Sequence, residues 1–144
     1  MSFKSCALGG LYVLRWGALP EVRDVNVYAT EIAEAYASQR TPLVGLFVMP
    51  PDSAAPDEIF RKAQANKLPE IMKHLEFAVA VFEGQGFISS VKRSALVAIL
   101  LLASKRYPVY VRATVEDALL RNPPGPIRFD AQNAIGELRK RALC

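Results

Sequence analysis

Leu43-Val44-Gly45-Leu46-Phe47-Val48-Met49 decides the fold, because it is apolar at every position but the glycine and is bounded by Pro42 and by Pro50-Pro51. A strand wet on one face alternates apolar and polar residues. A run without alternation is what a central parallel strand, covered on both faces, requires. Two similar runs follow, Phe77 to Phe82 and Val109 to Val111, each succeeded by a helix-forming segment. Ahead of them lie Phe3 to Leu8 and Leu11 to Trp16, separated by Gly9-Gly10, which reads as a hairpin. Within its second strand Leu11, Val13 and Arg15 alternate with Tyr12, Leu14 and Trp16, placing this strand near a sheet edge with the Arg15 side partly wet.

The connecting segments carry helical spacing. Pro20 and Glu21 open a helix with Val22, Val25, Ala29, Ile32, Ala33 and Tyr36 on one side, ending near Gln39 and Arg40 before Pro42. Pro50 to Pro56 breaks regular structure, after which Asp57 and Glu58 complement the positive end of a helix carrying Ile59, Phe60 and Ala63. Pro69 predicts a break or kink near Asn66 to Leu68, with a restart through His74. Gly84-Gln85-Gly86 turns into a long helix over Phe87 to Lys105, apolar almost all round between Ala95 and Ala103. Thr114 caps a short helix over Val115 to Leu120, and an amphipathic helix spans Asp130 to Leu143 with Ala131, Ala134, Ile135, Leu138 and Leu143 as its buried side. The result is an α/β fold with a mixed, mostly parallel sheet, in the order β-β-α-β-α-β-α-β-α plus a C-terminal helix.

A chain of 144 residues is the size of one domain, with a core over about 3–121 and a helical extension over about 127–144. Its longest apolar run, Ala95 to Ala103, is too short for the roughly 20 residues a membrane-spanning helix needs. The N-terminus lacks the apolar stretch of a secretory signal, so a cytoplasmic location is expected. Two cysteines, Cys6 and Cys144, have neither metal nor redox spacing, and no motif implies a metal or cofactor. The excess of 18 basic over 14 acidic residues is dispersed in short pairs without an aromatic-and-basic stripe, so no nucleic-acid partner is expected.

In order, and in the residues Leu11 to Gly17, Leu43 to Met49 and Thr114-Val115-Glu116-Asp117-Ala118-Leu119, the chain resembles the STAS domains, specifically their sporulation-type, STAS-like members. The resemblance implies a non-enzymatic signalling domain that binds a protein partner. Anti-sigma-factor antagonists of that family carry a phosphorylatable serine where the third strand turns into the second helix. Asp52-Ser53 occupies that place here, which makes Ser53 the implied phosphorylation site, although Ala54-Ala55-Pro56 departs from the family's sequence.

Loops after parallel strands are where open α/β sheets bind ligands and partners, so the expected docking region joins Asp52, Ser53 and Phe60 to Gly86, Phe87 and Arg93. Leu96 and Leu100 are the candidate contacts for self-association as a homodimer. Two other readings remain open. One is a small enzyme holding an anionic substrate at the Gly84 to Arg93 turn, and the other is a carrier of a lipid or small apolar ligand. His74, the single histidine, has Glu70 and Glu76 as sequence neighbours but no complete catalytic set.

Overall fold

The computed structural model describes residues 3–17, 20–51, 57–84, 105–120 and 131–143. Its elements are β1 (Phe3–Leu8), β2 (Leu11–Trp16), α1 (Val22–Gln39), β3 (Leu43–Met49), α2 (Glu58–Met72), β4 (Leu75–Phe82), β5 (Val109–Arg112), α3 (Val115–Leu120) and α4 (Ala131–Lys140). The helix predicted after Gly86 falls on 85–104, outside the described residues.

The strands stand in the sheet in their order along the chain, β1-β2-β3-β4-β5, with β1 antiparallel to β2 and every later pair parallel. This order has a physical consequence. The crossovers through α1 and α2 each step one strand in the same direction, and right-handed crossovers of that kind place their helices on a single face. Accordingly α1 and α2 cover one face, where Val25, Tyr28, Ile32, Phe60 and Ile71 pack on Tyr12, Leu14, Trp16, Leu43 and Leu75. The opposite face is closed by α3 and α4, with Val115, Leu119, Ile135 and Leu138 over Val13, Leu46, Val79 and Val81. The C-terminal helix is thus a wall of the core.

β3 is covered on both sides, as its unbroken apolar run predicts. β2 is the second strand, next to the β1 edge as its alternation predicts, and Tyr12, Val13 and Leu14 are all buried. Arg15 is half-buried.

β4 starts at Leu75, two residues before the apolar run read from the sequence. Leu43 pairs with Leu75 but Val44 pairs with Phe77, so Glu76 is an extra residue in β4. In a regular strand Leu75, Phe77, Val79 and Val81 would share a face. The bulge turns Leu75 toward α1 and α2 while Phe77 faces α3 and α4. Gly45 makes room for it: a Cβ there would stand 2.9 Å from Leu75 Cδ1 and from Phe47 Cε2.

The predicted break before Pro69 does not occur, and α2 runs through it to Met72. Pro69 lies in the last turn, so its missing N–H removes one late hydrogen bond with little helix left to disturb. The N-terminus of α2 is capped by Asp57, whose carboxylate accepts from Phe60 N–H at 2.8 Å. Thr114 caps α3 as predicted, its Oγ1 accepting from Asp117 N–H at 3.0 Å.

At the start of α1, Asp24 is 2 % exposed and its carboxylate accepts from Glu21 N–H at 2.8 Å. A buried carboxylate at a helix N-terminus satisfies an otherwise orphaned donor and meets the positive end of the helix dipole. Replacing Asp24 by Ala is expected to lower stability by about 1–2 kcal/mol. A urea titration checks this, and an unchanged midpoint would show that the carboxylate contributes nothing net.

Candidate functional site

Because β2, β3 and β4 run in parallel, their carboxyl ends gather at one end of the sheet, where Trp16, Met49 and Phe82 lead into the connections. Beneath that end, on the α1/α2 side, Trp16 packs edge-on against Phe3 (5.4 Å between ring centroids), Phe60 (5.6 Å) and Tyr28 (6.2 Å). These aromatics, scattered along the chain, form one rigid floor.

On the other face Arg15 reaches across β3 to Glu83, with Nη1 and Oε1 2.7 Å apart and the two side chains 24 % and 22 % exposed. Glu83 is held in place by its own N–H, which donates to Met49 C=O at 3.0 Å. Gly84 comes next at φ 95, and a Cβ there would lie 2.3 Å from Pro51 Cβ. The exits of β3 and β4 therefore touch at Pro51 and Gly84. Glycine is required there by backbone geometry and close approach.

Of the residues expected to form the docking region, Asp52, Ser53, Gly86, Phe87 and Arg93 lie outside the described residues, as do Leu96 and Leu100. Phe60 is described and is 2 % exposed, so its ring belongs to the aromatic floor and offers no surface. Its neighbour Ile59 is 69 % exposed. Val22, in the first turn of α1 at the same end of the sheet, is 44 % exposed. At the α2 terminus the Phe60 N–H is already taken by the Asp57 carboxylate.

His74 sits at the opposite end of the sheet, between α2 and β4, its ring tilted against Tyr36 with centroids 4.7 Å apart. Its Nδ1 is buried without a hydrogen-bond partner among the described residues. Burial, and then the charge of Lys73, hold its pKa below the usual histidine value, against a smaller opposing pull from Glu70. Glu70 itself is held low chiefly by the hydrogen bond and charge of Lys67, 2.9 Å away. His74 does not meet Glu83 or Arg15.

One polar cluster has no signal in the sequence. Ser5 Oγ and Tyr12 Oη both donate to Glu31 Oε1, at 2.5 and 2.9 Å, joining the hairpin to the middle of α1. Burial, reinforced by Glu31, pushes the Tyr12 phenol well above its usual pKa. The cluster keeps Tyr12 protonated as a donor. Only the packing of α1 over the hairpin brings these three residues together.

No protein-family model, curated protein or solved structure matches the chain. Among the described residues no helix is long and apolar enough to cross a membrane, and no group of three His, Cys, Asp or Glu could hold a metal ion.

Two outcomes test this geometry. Gly84→Ala is expected to destabilise the fold by roughly 2 kcal/mol or more, from left-handed backbone strain plus overlap with Pro51, measured by urea unfolding. A loss under about 0.5 kcal/mol would refute the contact. For His74, the lowered folded-state pKa means that the unfolded chain takes up the proton first as pH falls. Its contribution is fully present above the unfolded value near 6.5 and is lost as pH drops through the folded value. Unfolding free energy measured from about pH 7 to pH 5 should fall less steeply in His74→Gln than in the wild type. Identical slopes would contradict it.

Proposed function

We propose that the chain is a non-enzymatic interaction domain of STAS-like plan that docks a protein partner at the carboxyl end of its sheet. The observation that carries this reading is Ile59, a large apolar side chain 69 % exposed and set among Asp57, Glu58 and Lys62 in the first turn of α2. An exposed apolar centre within a charged rim has the composition of an interface. Val22 adds a second exposed apolar group in the first turn of the neighbouring α1, and the aromatic floor beneath both gives them a stiff support. Phosphorylation of Ser53 would act beside this surface, and Leu96 and Leu100 remain the proposed contacts for self-association. An enzyme holding an anionic substrate at the Gly84 to Arg93 turn would use Gly84 as part of its anion cradle. Contact with Pro51 gives that glycine a structural reason of its own.

Tagged protein used as bait in extract of the source cell tests the proposal. Ile59→Asp should retain roughly tenfold less of the captured partner than wild type. Leu120→Asp, at an apolar residue 49 % exposed in α3 on the other face, should retain as much as wild type. Equal capture by the two variants, both folded by circular dichroism, would overturn the assignment of the surface.

A further inference from the structure

β1 is the end strand of the sheet and pairs only with β2 among the described residues. It runs six residues in unbroken register, Phe3-Lys4-Ser5-Cys6-Ala7-Leu8, with no proline and no bulge. Leu8 and Leu11 flank a two-residue turn and so form a hydrogen-bonded pair. The alternation of an antiparallel ladder then directs the N–H and C=O of Ser5 and Ala7 away from β2. Unpaired groups of this kind are a template for another strand unless the edge is blunted. Lys4 is the one charge on β1 that could blunt it.

The surroundings turn that lysine from a barrier into a selector. Lys4 stands directly opposite Arg15 in the ladder and on the same strand face as Cys6, whose thiol feels the charge of Arg141 just beyond α4. On this side Arg15 is matched by Glu83 and Arg139 by Glu116, while Lys140 and Arg141 share Glu137 at 3.5 and 3.9 Å. Among the described residues, positive charge is therefore in excess on the α4 side of β1. On the α1 side Glu31 is engaged by Ser5 and Tyr12. A second copy of the chain would bring an equally basic edge against this one. An acidic strand would be attracted.

We propose that β1 accepts an extended acidic segment of a partner protein as a sixth strand, with its acidic side chains alternating onto the Lys4 and Arg141 side. Backbone hydrogen bonds to Ser5 and Ala7 supply the pairing, and the cations choose the sequence. This surface is separate from the one around Ile59 and stands whether or not that reading does.

The probe is a hexapeptide of alternating valine and glutamate, blocked at both ends, titrated into the full chain and followed by amide hydrogen exchange. At about 1 mM peptide the Ser5 and Ala7 amides should exchange more slowly, and the valine–lysine counterpart should leave them unchanged. Combined Lys4→Glu and Arg141→Glu should weaken binding about tenfold, and added salt should weaken the wild-type complex. Ala7→Pro, at an exposed residue whose N–H points outward, should abolish the protection at Ser5 while leaving the urea midpoint nearly unchanged. No protection at that concentration, equal binding of the lysine peptide, or equal affinity in the charge-reversed variant would overturn the proposal. Protection that grows with protein concentration alone would assign the edge to a second copy instead.

Discussion

One extra residue in β4 decides which side chains of the sheet meet which helices. Glu76 occupies the bulge opposite Leu43 and Val44, so Leu75 projects into the α1/α2 layer and Phe77 into the α3/α4 layer. Without it, Leu75 would leave the space above Gly45 empty and crowd the opposite face. Burying a leucine is worth about 1.5–3 kcal/mol, and a cavity in its place costs more again. The bulged position carries a cost too, because Glu76 Oε2 is buried without a hydrogen-bond partner among the described residues. From Phe77 onward the bulge fixes the phase of β4, and that phase sends Glu83 toward Arg15 at the strand's far end.

Strand order does the rest. Because the sheet winds in one direction, its described strands contain no reversal and hence no crevice of the kind that serves doubly wound sheets as a ligand site. Among the described residues, the carboxyl end has aromatic rings below it and the close contact of Pro51 with Gly84 at its side. The exposed first turns of α1 and α2 at that end are the surface on which the proposed docking rests.

Much of the fold was legible in the residues. The unalternating run at Leu43 to Met49 announces a strand covered on both faces, Gly9-Gly10 announces the hairpin, and Thr114 announces the cap of α3. The departures have physical causes. Pro69 signals a break only if helix continues well past it, and a proline in the last turn costs little. The bulge at Glu76 was hidden because its evidence is which face each side chain reaches, a tertiary fact. Arg15 announces a partly wet strand face, and its half-buried pair with Glu83 is what holds it there.

The site was less legible. Ile59 and Phe60 are adjacent apolar residues about 100° apart around a helix, and only one of them can face the sheet. Periodicity does not say which. Packing against Trp16 selects Phe60 and leaves Ile59 outside. The Ser5, Tyr12 and Glu31 cluster and the basic margin of β1 depend likewise on α1 and α4 coming to rest against the hairpin, which no local pattern encodes.

The most direct test of this account compares two changes at one position by urea unfolding. Glu76→Ala keeps the extra residue and removes a carboxylate with one buried oxygen that has no partner among the described residues, so its stability should stay within about 1 kcal/mol of wild type. Deleting Glu76 removes the bulge, sends Leu75 to the wrong face and uncovers Gly45, and should cost about 3 kcal/mol or more. Equal stability of the two variants would contradict the claim that this single residue sets the faces of the sheet.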